Sequence, residues 1–249
     1  MKIEETIQHS FKVMNRTLGH DRPADSRPMW QLRLSAASPF CRALVGCGYM
    51  TELQMQEAVV RYRLGMSRDQ AVIFWQIDHH DVVHDGKLMY YRDDCHRDHD
   101  RKPTWVSYLL RRSGQLPGEW QSNHCLFGLH QLTTTPHSPV AVVESEKTAV
   151  IMSAIRPEYV WMATGGKTEL SVAKLKPLEN RRVILFPDTD PDGQTYREWF
   201  DVAVAAADVF GHPVSVSSLL EQQATARQKA AKIDVADLLF PDKNHQDNE

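Results

Sequence analysis

Pro139–Thr148, PVAVVESEKT, and Arg182–Gly193, RVILFPDTDPDG, are the two stretches whose reading decides the fold. Each is a short apolar run that ends abruptly in carboxylates. Val140–Val143 and Val183–Phe186 are rich in β-branched residues and apolar without alternation, the pattern of strands buried on both faces of a parallel sheet. Strands of that kind need helices over them, so an α/β fold with a mostly parallel sheet flanked by helices is expected. Glu144 and Glu146 follow the first run, and Asp188, Asp190 and Asp192 follow the second. The acids therefore sit at strand carboxyl ends, where open α/β sheets bind ligands.

If the two strands are neighbours, Glu144, Asp188 and Asp190 approach one another. Bare carboxylates that close repel by about 4 kcal/mol per pair at an effective dielectric near 20. A divalent cation relieves that repulsion, and oxygen ligands without His or Cys favour Mg²⁺ or Mn²⁺ over zinc. The same residues also suit ordinary strand-to-loop punctuation, because Asp and Gly are turn formers. Spacing alone leaves both readings open.

The chain of 249 residues is long enough for two domains, each with its own core. Apolar residues at 42% and charged residues at 24% describe a globular protein, and no apolar run reaches the length of a membrane span. The polar N-terminus, MKIEETIQHSFKVMNRTL, lacks a signal-peptide core, so a cytoplasmic location is expected. Cys41, Cys47, Cys95 and Cys125 form no CxxC pair; reduced thiols are expected and no zinc site. His79, His80, His84, Cys95, His96 and His99 likewise fit no standard ligand spacing. Net charge is -3, against a dedicated nucleic-acid coat protein. Between His96 and Arg112, however, Arg97, Arg101, Lys102, Arg111 and Arg112 outnumber Asp98 and Asp100, which suits either a groove lining or a solvated face.

Residues 1–38 read as an opening helical stretch followed by the loop-forming GHDRPADSRP, an arm of uncertain placement. Thr51 is a plausible N-cap for a helix burying Leu53, Met55, Ala58, Val59 and Tyr62 and ended by Gly65. Ala71–Arg92 reads as an antiparallel meander that turns at Asp85-Gly86, with a short helix at Trp105–Arg112. This smaller α+β subdomain, 39–137, gives way at TTTPHSP to a βα-alternating domain, 138–240. There, helices are expected at 147–155, 170–178 and 224–232, and strands at 159–163 and 214–216. The strongest helix, 196–210, carries Trp199, Phe200, Ala203, Ala206, Ala207 and Phe210 as its apolar stripe. The polar tail 241–249 reads as frayed.

VVESEKTA, TGGK, LFPDTDPDG and KIDVADLL together resemble the Toprim domain shared by bacterial primases, topoisomerases and some nucleases, over about residues 138 to 240. The resemblance implies a Mg²⁺ site in which Glu144, Asp188 and Asp190 are the catalytic acids. Asp192 is a further metal candidate, and Glu146 and Asp234, with Asp237, are supporting acids or simply helix-start and turn carboxylates. Lys147 and Lys167 flank the strand ends, at positions suited to phosphates or to plain solvation. YRLG at 62–65, FWQID at 74–78, DGKLMYY at 85–91 and CLFG at 125–128 extend the likeness to a Toprim-like, DnaG-type primase-related family found on mobile genetic elements. In such primases a smaller α/β subdomain precedes Toprim. Its counterpart here places Arg92, Arg97 and Lys102 where nucleotide or template is contacted. The implied activity is nucleotidyl transfer on single-stranded DNA with nucleoside triphosphates, with a Toprim nuclease or a non-catalytic nucleic-acid-binding module as alternatives. Ser145 replaces the family's usual Gly, and neither a zinc ribbon nor a helicase motif is found, so a helicase or zinc-ribbon protein is an expected partner.

Overall fold

The computed structural model describes residues 34–116 and 121–240. The helical arm expected before Leu34 and the tail after Phe240 lie outside the described residues. The chain divides into two compact units, one ending at Cys125 and one beginning at Leu126. Among the described residues no helix is long and apolar enough to cross a membrane.

The first unit opens with two helices. Helix α1, Pro39–Gly46, starts with proline in its first turn and with Ser38 Oγ accepting from the Cys41 amide. Helix α2, Glu52–Tyr62, begins with a capping box between Thr51 and Gln54. It buries Met55, Ala58, Val59 and Tyr62, but Leu53 is 65% exposed, on the opposite side of the helix from its expected companions. Nor does Gly65 end the helix. Arg63 adopts the left-handed conformation (φ 55°), and Gly65 instead begins strand β1, Gly65–Met66. Glycine is needed at 65 for space, since a Cβ there would lie 2.8 Å from the Trp75 indole nitrogen.

Strands β1, β2 (Val72–Ile77), β3 (Val83–Met89) and β4 (Thr104–Trp105) form one antiparallel sheet in sequence order, followed by helix α3, Val106–Arg112. The meander is as expected, but its turn is elsewhere. Asp85 and Gly86 lie inside β3, opposite Gln76 and Trp75, and the chain reverses at Asp78–Val82. Asp78 makes that reversal: its Oδ1 accepts from the His80 and Val82 amides at 2.8 and 3.0 Å, and its Oδ2 meets His84 Nε2 at 2.9 Å. Gly86 is a strand glycine because the Trp75 ring fills the space a side chain would occupy. Ile73, Trp75, Ile77, Leu88, Val106 and Leu110 form the core beneath the sheet.

The second unit is built on a four-stranded parallel sheet in the order β6-β5-β7-β8, with β5 Val140–Val143, β6 Val160–Ala163, β7 Val183–Leu185 and β8 Ser215–Val216. All four residues of β5 and of β6 are buried, as two-sided cover requires. Helix α4, Glu146–Ile155, joins β5 to β6. The 170–178 segment divides into a single turn, α5 (Val172–Leu175), and a 3₁₀ turn at Lys176–Leu178, where Pro177 has no amide to continue an α-helix. Helix α6, Gln194–Phe210, buries Trp199, Ala203 and Ala206 and ends at left-handed Gly211. Phe200, one position round the helix from Trp199, falls outside the buried stripe and is 48% exposed. Three short helices, α7 (Leu219–Gln223), α8 (Ala226–Ala231) and α9 (Val235–Leu239), close the described chain.

Candidate functional site

Because β5 and β7 pair directly, the loops leaving their carboxyl ends are neighbours. Glu144 follows β5, and its carbonyl accepts from the Gly165 amide at 3.0 Å, tying it to the turn after β6. Asp188 follows β7. Its Oδ1 is closed to solvent and has no hydrogen-bond partner. Burial, then the negative charges of Asp234, Glu144 and Asp237, raise its carboxyl well above the ordinary range, and a hydrogen bond with Glu144 adds to the effect. The structure thus brings Glu144 and Asp188 together and adds the start of α9 to them.

Asp234 is buried and is the N-cap of α9, with Oδ1 accepting from the Ala236 and Asp237 amides at 2.7 and 2.9 Å. Its other oxygen accepts from the Thr148 hydroxyl on α4. Burial and Asp237 push the Asp234 carboxyl up, while Lys147 and the Thr148 bond pull it down. Lys147, in the first turn of α4, is therefore a cation on the Asp234 side of the cluster. Glu146 is buried in the same turn.

Asp190 has a different occupation. Its Oδ1 accepts from the Asp192 and Gln194 amides at 3.0 and 2.9 Å, and its Oδ2 from the Thr195 amide at 2.6 Å. Gly193, the N-cap of α6, has no side chain, and Asp190 caps the helix in its place. Burial, which alone would raise its carboxyl, is outweighed by these bonds, and the group is held far below the ordinary carboxylate range. Asp192 and Lys167 are exposed on their loops.

In the first unit, Arg92 is half exposed, 3.9 Å from Asp98 and 3.7 Å from Asp100. With Arg42, Arg101, Tyr90, Gln70 and Asp98 it lines a cavity of about 430 Å³. Arg101 lies 3.4 Å over the Tyr90 ring and holds Asp69 at 3.1 Å. The Tyr90 hydroxyl, which donates to Asp69, is pushed up to about 12 by burial and by that carboxylate. Arg97 and Lys102 are exposed. Arg42 and Thr148 were not legible as site residues: no motif marks either, Thr148 acts through Asp234, which is remote in sequence, and Arg42 lines its cavity beside residues from Gln70 onward.

Among the described residues, no three His, Cys, Asp or Glu side chains are gathered so as to hold a metal ion. The donor set around Asp188 is nonetheless all oxygen, and its orphaned Oδ1 is a ligand atom without an occupation. Mg²⁺ is commonly held by only one or two carboxylates, with water and substrate phosphates filling the remaining positions, and the Glu144–Asp188 pair fits that requirement.

No curated protein matches this chain. The primase fragment of the bacteriophage T7 primase-helicase protein is similar at 15% identity, over 76% of this chain and 67% of that one, with a TM-score of 0.45. A chain in the complex of bacteriophage T7 lagging-strand DNA polymerase with primase domains, an RNA/DNA hybrid and dTTP is similar at 16% identity, over 70% of this chain and 83% of that one, with a TM-score of 0.41. The profile of a family described as a domain of unknown function, DUF6371, matches residues 38–189, more than half of the sequence, and the chain belongs to that family.

Proposed function

We propose that this protein is a cation-dependent nucleotidyltransferase of the primase type, joining nucleoside triphosphates on single-stranded DNA, with its reaction centre at Glu144 and Asp188. The observation that carries this reading is the buried, unpartnered Asp188 Oδ1, pressed by three neighbouring carboxylates at the end of a parallel strand. A carboxylate kept only for stability would be satisfied by donors; one surrounded by like charge is suited to a cation.

Glu144 and Asp188 would hold Mg²⁺ or Mn²⁺. When bound, that ion neutralises charge on the transferring phosphoryl group and its leaving oxygen. Asp190 fixes the β7–α6 loop and so positions Asp188; Asp234, held by Thr148, supplies negative charge behind it. Lys147 and Lys167 are the candidates for triphosphate contact in this unit. In the first unit, Arg92 with the cavity it lines, Arg97 and Lys102 are candidates for contact with nucleotide or nucleic acid. The setting would be mobile-element replication with a helicase or zinc-ribbon protein as partner, as the Toprim resemblance implies.

The test is a template-directed assay with labelled nucleoside triphosphates, Mg²⁺ or Mn²⁺, and single-stranded DNA. Product is expected from the wild type, with a loss of about a hundred- to a thousandfold in Asp188→Asn, the scale of removing a principal electrostatic group. Strand cleavage without synthesis would reassign the centre to a nuclease, and DNA binding with neither activity would make the protein a binding module.

A further inference from the structure

From Arg101 to Leu116 the sequence holds Arg101, Lys102, Arg111 and Arg112 and no acidic residue. Helix α3 lies within this stretch and is firmly mounted. Val106 and Leu110 are buried in the core of the first unit, and Leu109 packs against it. Asp85 on β3 accepts from both the amide and the hydroxyl of Ser107, at 3.0 and 2.5 Å. The outer face carries Tyr108, 57% exposed, with Arg111 and Arg112 also exposed. Those arginines stand three and four positions after Tyr108, the spacing of surface neighbours on a helix.

Each feature alone has an ordinary explanation. A single exposed aromatic is common, and arginines in a last turn complement the helix dipole. Together, on a firmly mounted helix whose own sequence holds no acidic residue, they match what a nucleic-acid strand needs: guanidinium groups for successive phosphates beside a ring on which an unpaired base stacks. A duplex keeps its bases stacked on one another and gives Tyr108 nothing to hold.

We propose that the Tyr108–Arg111–Arg112 face of α3 is a docking surface for single-stranded DNA, the template of the reaction proposed above, on which it rests. A base stacks on Tyr108 while the two arginines take flanking phosphates.

The test is fluorescence anisotropy of a labelled oligothymidylate of about 12 nucleotides with the full chain, across a salt series. Tyr108→Ala should weaken binding about tenfold and Tyr108→Phe should not. The double variant Arg111→Ala/Arg112→Ala should make the logarithmic salt slope shallower by about 1.4, the expectation for two phosphate contacts on a single strand. Wild-type affinity in Tyr108→Ala overturns the proposal, as does equal loss in the Phe variant, or a double variant that melts earlier but binds unchanged. Equal competition by duplex DNA or by an RNA strand overturns the assignment of the occupant. Binding that depends on Tyr108 in a protein without synthesis supports this surface while refuting the nucleotidyl-transfer reading.

Discussion

Two aspartates, one in each unit, each with a carboxyl oxygen closed to solvent, show how differently a fold treats the same side chain. Asp85 is completely buried, and its carboxylate accepts from the Gly86 amide at 2.7 Å, from the Ser107 amide and hydroxyl, and lies 3.1 Å from His124 Nε2. His124 in turn stacks on Trp105, with ring centroids 4.0 Å apart. Asp188 has an oxygen with no partner and three carboxylates for neighbours. Desolvating a carboxylate is costly, and donors offset that cost only at Asp85. The well-satisfied acid joins a strand, a helix and a loop; the poorly satisfied one is the acid on which the proposed reaction centre is built.

The largest effect should come from breaking the satisfied member of the pair. Asp85→Ala strips two amides, a hydroxyl and an imidazole of their common acceptor and should destabilise the protein by about 3–5 kcal/mol, as loss of one partner from a buried charged network does. Chemical denaturation monitored through tryptophan fluorescence would measure it. A loss below about 1 kcal/mol would show that Asp85 is not the structural hub its contacts describe.

These two acids also explain what could be read in the sequence and what could not. The runs at 140–143 and 183–185 were legible because strands buried on both faces must be continuously apolar, and the acids beyond them necessarily fall at strand ends. The Asp85-Gly86 pair was misread as a turn because its composition is that of one. Its true causes, the Trp75 ring against Gly86 and Ser107 above Asp85, are contacts made across the sheet and with α3. Asp188 and Asp190 are two residues apart and chemically identical, and only the folded loop shows that three amides engage Asp190. The Thr148–Asp234 bond spans 86 positions and follows from no local rule.

A second experiment divides the Asp-x-Asp motif itself. Asp190→Ala removes the acceptor that caps α6 and should cost about 2 kcal/mol, the upper end for a helix cap. The sign of its pH dependence follows from its depressed carboxyl. The stabilisation is present above the unfolded-state pKa and is lost as pH falls through the folded one, so wild type and variant should converge in acid. Thermal melts from neutral to acidic pH would show this. A constant difference across the series would mean that Asp190 acts by packing rather than as a charged cap.

Asp188→Asn should give the smallest change, and in the opposite direction. The raised carboxyl of Asp188 means that the folded state holds a proton there more tightly than the unfolded chain does. Stability from this group is therefore complete below the unfolded-state pKa and declines as pH rises through the folded one. At neutral or higher pH and without divalent cations, the uncharged amide should stabilise the fold by about 1 kcal/mol, or about 2–4 °C in Tm. Added Mg²⁺ should reverse the order. A ligand present at ten times its Kd contributes about 1.4 kcal/mol to the native state that binds it, and only wild type keeps the anionic carboxylate that attracts the cation. Calorimetric melts of the two proteins with EDTA and then with Mg²⁺ separate the cases without an activity assay. If Asp188→Asn is less stable than wild type in EDTA, the acid is satisfied by its surroundings as Asp85 is; if Mg²⁺ shifts both proteins equally, the cation binds elsewhere.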